Sequence, residues 1–216
     1  SIVGHLGEYG HVEIKSFFYD YYTNLGAELF SIAITVLVID RLAFQRQNKR
    51  DELQAKANLI TRASSEVREI AVSAIGELSQ QGWLFDGTLI ESNLQGANLQ
   101  GAILHSPVQG GAKLRDAYLR KSNLSNMRLY EIDLEQAELQ RAIVSGAKLV
   151  NANLKGANLD YADFQNTCLF LTDLEGAHFF QTNISNAILW NVNLLGAKNL
   201  TDAQLASASR MRDATL

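Results

Sequence analysis

The chain has 216 residues, 47% of them hydrophobic, with 23 acidic against 19 basic side chains and a formal charge of −4. That length supports one domain or two modest ones, and the near balance of charge excludes the strong basic field of a nucleic-acid binder. A single cysteine, Cys168, excludes an intramolecular disulfide and fits a reducing compartment.

The chain opens at Ser1 rather than Met, as expected of a processed or partial polypeptide, so its start says nothing about a leader or an earlier membrane helix. Residues 1–24 end in an aromatic cluster, Phe17, Phe18, Tyr19, Tyr21 and Tyr22. Residues 25–44 are the most apolar stretch, with Leu29, Phe30, Ile32, Ile34, Val36, Leu37, Val38 and Ile39 at its centre. As a helix these twenty residues would be roughly 30 Å long, about one bilayer core. The aromatic cluster on one side and Arg41, Arg46, Lys49 and Arg50 on the other predict a transmembrane helix with the rest of the chain on the cytoplasmic side. The charge-free centre, Leu29 to Ile39, has the length of a buried helix and leaves that alternative open. Glu28 is the one carboxylate inside the span; it lines a cavity, or it sits at headgroup level.

Residues 45–80 are rich in Ala, Glu, Arg, Gln and Leu and predict a helical connector. Leu53, Ile60, Val67 and Ala74 recur every seven residues, with Ala57, Ser64, Ala71 and Leu78 four after each. That seam suits a short coiled coil, and equally an amphipathic helix capping whatever follows. Trp83 and Phe85 stand at the junction, placed to pack under such a cap.

From Leu84 to Leu194 a Leu, Ile, Val or Phe returns at every fifth position except Gln109. Two residues before each stands a small side chain, usually Ala, with Asn or Asp often between, as in Ala97-Asn98-Leu99, Ala157-Asn158-Leu159 and Ala162-Asp163-Phe164. A period of five fits neither helix nor ordinary strand; it marks a solenoid whose units bury their apolar residue only by stacking. The pattern resembles the pentapeptide-repeat family. The resemblance implies an all-β solenoid over residues 81–206, a right-handed quadrilateral β-helix with four pentads per coil, Leu and Ala pointing inward and the rest outward. Gly96, Gly101, Gly146, Gly156, Gly176 and Gly196 suit corners that need permissive dihedrals. Pro107, Gln109, Gly110 and Gly111 interrupt the pattern for one pentad and predict a distorted corner. After Leu194 the phase slips to Leu200 and Leu205, the expected end of the solenoid, leaving residues 207–216 as a tail.

Nothing in the chain spells an active site. His5, His11, His105 and His178 are scattered and lack metal-ligand spacing, and Cys168 has no His or Lys near it in the repeat lattice. The acidic residues Asp133, Glu138, Asp163 and Asp173 occupy the middle of the repeat, where hydrogen bonding along the coil accounts for them. No catalytic residue, cofactor, metal or small-molecule substrate is expected.

With four pentads per coil, residues twenty apart stack on one face, and one column is apolar: Ile90, Tyr130, Val150, Phe170 and Trp190, with Gly110 among them and Val108, Cys168 and Ile188 alongside. The next face carries Gln95, Arg115, Glu135, Lys155, Glu175 and Leu195. A contiguous apolar stripe marks a contact surface. The expected function is therefore a membrane-anchored, non-enzymatic scaffold in a bacterial plasma or thylakoid membrane, which displays its β-helix for partner binding or self-association. An oligomeric channel or transporter subunit, with Glu28 facing the axis, is the alternative. A DNA-mimicking topoisomerase protector, known in the resembled family, would need a strongly acidic rod, whereas residues 81–216 hold 13 acidic and 11 basic side chains.

Overall fold

The computed structural model describes the backbone of residues 6–216 and the side chains of residues 19–216. His5, His11, Phe17 and Phe18 lie outside those described side chains. The chain forms two units, Ser1–Leu53 and Gln54–Leu216.

In the first unit the sequence runs as helix α1, which spans Leu6–Ala63 and so continues into the second unit. The expected transmembrane helix over residues 25–44 is helical but is not supported as a span. Among the described residues no helix is long and apolar enough to cross a membrane. Glu28 and Asp40–Arg41 bound the charge-free stretch Leu29–Ile39, which is only about 16 Å of helix. Its apolar side chains are nonetheless exposed, from Ile34 at 46% to Phe30 at 68%. At 100° per residue they cover about 260° of the circumference, with Ser31 and Thr35 in the remaining arc, so they form a broad cuff rather than a narrow stripe.

In the second unit, α1 ends at Ala63 and α2 runs from Arg68 to Gln80. The single connector helix is thus broken at Ser64–Val67, because the serines bond locally instead of extending the ladder. The Ser64 hydroxyl donates to the Thr61 carbonyl, and the Ser65 hydroxyl accepts from the Val67 amide. The heptad seam is not assembled: Leu53 and Val67 are exposed, while Leu59, Ala63, Ala71, Ala74, Ile75 and Leu78 are buried in one core with the solenoid. The helices are the cap. Trp83 and Phe85 pack against that core, and Lys56 lies over the Trp83 ring.

The solenoid follows from three rules that the sequence obeys together. Every fifth residue from Leu84 to Leu194, Gln109 excepted, is buried, as are the Ala residues two places earlier. Where Thr takes the small position, its hydroxyl is satisfied inside: Thr172 donates to the Leu149 carbonyl and Thr182 to the Leu159 carbonyl. Parallel bridges join residues twenty apart, such as Asp133 to Asn153 and Asn153 to Asp173, so four pentads make one coil. Asn and Asp work at the corners, where the side chain accepts from the amide two residues on, as Asp163 does from Gln165. Across coils, Asn153 and Asn193 donate to Asp133 and Asp173.

Each corner needs one residue with positive φ. Glycine supplies it at Gly146, Gly156 and Gly176, but Lys121, Arg141, Tyr161 and Leu171 adopt it too. A non-glycine residue there costs about 1–2 kcal/mol. Its amide is repaid by a bond to the next coil, as Arg141 N–H donates to Asp160 and Leu171 N–H to Trp190.

The ends are closed differently. Helix α3, Asp202–Ser207, starts in a capping box in which Thr201 and Gln204 exchange bonds. The Gln204 amide also donates to the carbonyls of Phe179 and Thr182, holding α3 to the last coils. The tail, residues 207–216, is tied to the last coils: Arg210–Arg212 (β4) pairs in parallel with Ile188–Trp190 (β3), and Thr215 bridges Asn193.

At the other end the cap is pinned by ion pairs. Arg62 donates two bonds to Glu77, which hold the Glu77 carboxyl below its usual range. Burial pushes Asp86 up, but bonds from the Thr88 hydroxyl, Lys56 and the Thr88 amide outweigh it and leave the carboxyl low. Groups with depressed folded values stabilise fully above their unfolded values of about 4 and lose that contribution as pH falls through the folded ones. Hydrogen exchange should therefore show protection of residues 68–80 falling below about pH 4, with Glu77→Gln reducing the change. Protection that stays constant from neutral pH down to pH 3 would show that these pairs do not hold the cap.

A candidate partner-binding face

The apolar column exists, but it is shorter than the sequence spacing implies. Glu131 N–H donates to Val150, Asn151 to Phe170 and Leu171 to Trp190. Tyr130, Val150, Phe170 and Trp190 therefore occupy successive rungs of one face, a ladder roughly 14 Å long at the ordinary strand spacing. All four are half-buried.

Ile90 is not part of it. Bridges before the interruption join residues 25 apart, Asn93 to Tyr118 and Asn98 to Asn123, instead of twenty. The interrupted pentad has left the coil: His105–Ser106 (β1) and Gly110–Gly111 (β2) pair as an antiparallel hairpin, and the Ala112 amide closes the gap by donating to Leu104. Everything upstream is displaced by one face. Glu91 N–H meets Arg115, which sets Ile90 in the charged column, and Gly96 N–H meets Arg120, which removes Gln95 from it. Val108 is at the hairpin turn and 92% exposed, away from the ladder. The predicted distorted corner is an extruded one.

Beside the ladder, bridges align Arg128, Lys148, Cys168 and Ile188 on consecutive coils. Arg128 and Lys148 have no ion-pair partner among the described residues. At the far end Arg210 of β4 lies over the Trp190 ring, with centroid distance 5.8 Å. The face is thus apolar along one line and cationic along its flank. The adjacent column differs: Arg115 pairs with Glu135, and Lys155 with Glu175 at 3.0 Å, so its charges are neutralised within the chain. The Glu175 bond and charge raise the Lys155 pKa.

Sequence reasoning missed the hairpin's contribution. His105 stands edge-on to Tyr130 at 5.5 Å, so the extruded pentad leans on the first rung of the ladder. The signal was present in Gly110–Gly111. A Cβ on Gly111 would come within 2.4 Å of the Glu131 carbonyl and the Ile132 amide, so only glycine lets β2 run against the next coil. His178 lies on another face, 3.1 Å from the Lys198 ammonium. Cys168 is a free, half-buried thiol; contrary to expectation a lysine does neighbour it in the lattice, since Lys148 bridges it from the preceding coil. Among the described residues no group of His, Cys, Asp or Glu could hold a metal ion.

The profile described as pentapeptide repeats matches residues 112–149, 137–176 and 172–209, in eight copies. Among solved structures, a pentapeptide repeat protein, Rfr23, from the cyanobacterium Cyanothece 51142 is 30% identical, with TM-score 0.32, covering 49% of this chain and 64% of its own. The chain thus spans under two thirds of that protein. A pentapeptide repeat protein of the Arabidopsis thaliana thylakoid lumen is 26% identical over 56% of this chain and 76% of its own, TM-score 0.27. QnrB1, a plasmid-mediated fluoroquinolone resistance protein, is 18% identical over 58% and 75%, TM-score 0.34. No curated protein matches the chain.

Gly111→Ala should displace the hairpin while leaving later coils folded, at a cost of about 1–3 kcal/mol. The check is the loss of the His105–Tyr130 ring contact by NMR with an unchanged β spectrum. Retention of that contact in the variant would mean that β2 is not held as described.

Proposed function

Because residues 112–209 are a β-helix of pentapeptide repeats, we propose that the chain is a non-catalytic scaffold that attaches to a lipid bilayer through α1 and binds a protein partner on its ladder face. The observation that carries the attachment is the cuff at residues 29–39, whose large apolar side chains are exposed over most of the helix circumference. A helix packed on one protein neighbour needs only a stripe; so broad an apolar surface suits a bilayer or a protein interior, and the flanks favour the bilayer. Tyr19, Tyr21 and Tyr22 before the cuff, and Arg41, Arg46, Lys49 and Arg50 after it, are the residue types that favour the two edges of a bilayer. The attachment requires insertion of the cuff, not a full crossing.

The ladder supports the binding half of the reading. Its aromatic rungs provide contact area at low entropic cost, and the unpaired Arg128 and Lys148 call for a partner segment that is apolar with acidic flanks.

Flotation with neutral lipid vesicles tests the attachment. The full chain should rise with the vesicles and Val36→Arg should stay at the bottom, since a cation at that depth costs about 2.5–3.5 kcal/mol. Full-length protein that remains monomeric at the bottom without detergent would refute it. For the face, Phe170→Ser with Trp190→Ser should still float and keep its β content, yet lose the proteins that co-purify with the unmodified chain. Unaltered co-purification would remove the ladder from the proposal.

A further inference from the structure

Between the extruded hairpin and the coil that follows lies a cavity of about 410 Å³. Ile103, Pro107 and Tyr130 give it apolar walls over the buried Met127, His105 closes one side, and Arg128 stands in its lining. That volume and lining belong to the range of small-ligand sites. Two further features distinguish it from a packing defect. Arg128 has no ion-pair partner among the described residues, so the apolar space has an uncompensated cation at its side. The His105 Nδ1 atom is buried without a hydrogen-bond partner, a polar atom that the fold leaves unsatisfied where natural structures seldom do.

We propose that this cavity is a binding site for a small aromatic carboxylic acid. The ring would lie between Ile103 and the His105–Tyr130 edge-on pair, whose own geometry shows how an aromatic edge is received there. The carboxylate would be held by the Arg128 guanidinium, which is built for planar anions. The reverse arrangement, an aromatic cation, meets the like charge of Arg128 and is disfavoured. This site is independent of membrane attachment but shares Arg128 and Tyr130 with the ladder face, so its free-molecule occupant would compete there with the acidic flank of the partner.

Phenylacetate is the probe, titrated into the full chain carrying ring-labelled tyrosine, with phenylacetamide as its uncharged counterpart. The Tyr130 ring resonances should shift saturably at low millimolar phenylacetate, and the amide should bind about tenfold more weakly, the value of one charge-assisted contact. Arg128→Gln should remove that difference by weakening the acid alone, and Ile103→Trp, which fills the space from an exposed position, should abolish both shifts. Resonances from other coils report that each variant is folded. An absent shift, equal binding of acid and amide, or an acid affinity unchanged in Arg128→Gln would overturn the assignment.

Discussion

Everything in the second unit depends on one constraint: a side chain can be buried every five residues only if the chain turns a corner after each, and four corners bring the backbone back onto itself. The amide and carbonyl groups at the corners then face their equivalents twenty residues on, so the coils bond to each other, and turn bonds such as Ala137 N–H to the Leu134 carbonyl complete the corners. This arrangement satisfies backbone groups that short, isolated extended segments would leave unpaired. It also explains the tolerance of positive φ at Arg141, Tyr161 and Leu171, where local strain is offset by the bond to the next coil.

A lattice so regular converts a small irregularity into a large displacement. One pentad removed from the coil at His105–Gly111 changes the bridge spacing from twenty to 25 residues. Side chains on either side of it that share a phase in sequence no longer share a face. The same event creates the cavity beside Tyr130 and shortens the apolar ladder to four rungs, so insertion, pocket and ladder boundary have one cause. Because the pentad leaves as a whole unit, the inward positions on both sides keep their phase and the core is continuous through Leu104 and Leu114.

The solenoid also dictates what its ends must be. Stacked coils expose apolar residues and backbone groups at each terminus. At the amino-terminal end the sequence supplies helices whose apolar residues, Ala71, Ala74, Ile75 and Leu78, complete the core, and at the other end α3 and β4 are tied on through Gln204 and strand pairing. The cuff on α1 obeys the opposite logic. Its apolar residues cover most of the helix circumference and are exposed among the described residues.

Period and residue type alone determined which side chains are inside: the buried list follows the five-residue phase from Leu84 to Leu194, and the corner glycines and the Asn and Asp positions take the places their chemistry suits. The ladder from Tyr130 to Trp190 was legible for the same reason, since spacing by twenty is exact within an unbroken stack. Tertiary structure decided what periodicity cannot carry across an interruption. Whether the aberrant pentad stays in the coil as a bent corner or leaves it as a hairpin depends on Gly111 meeting the backbone of Glu131–Ile132, a contact between residues twenty apart. The same holds for the connector: its heptad spacing suits both a coiled coil and a cap, and the choice was made by the open end of the solenoid, which offers Ala71 and Leu78 a ready core to complete.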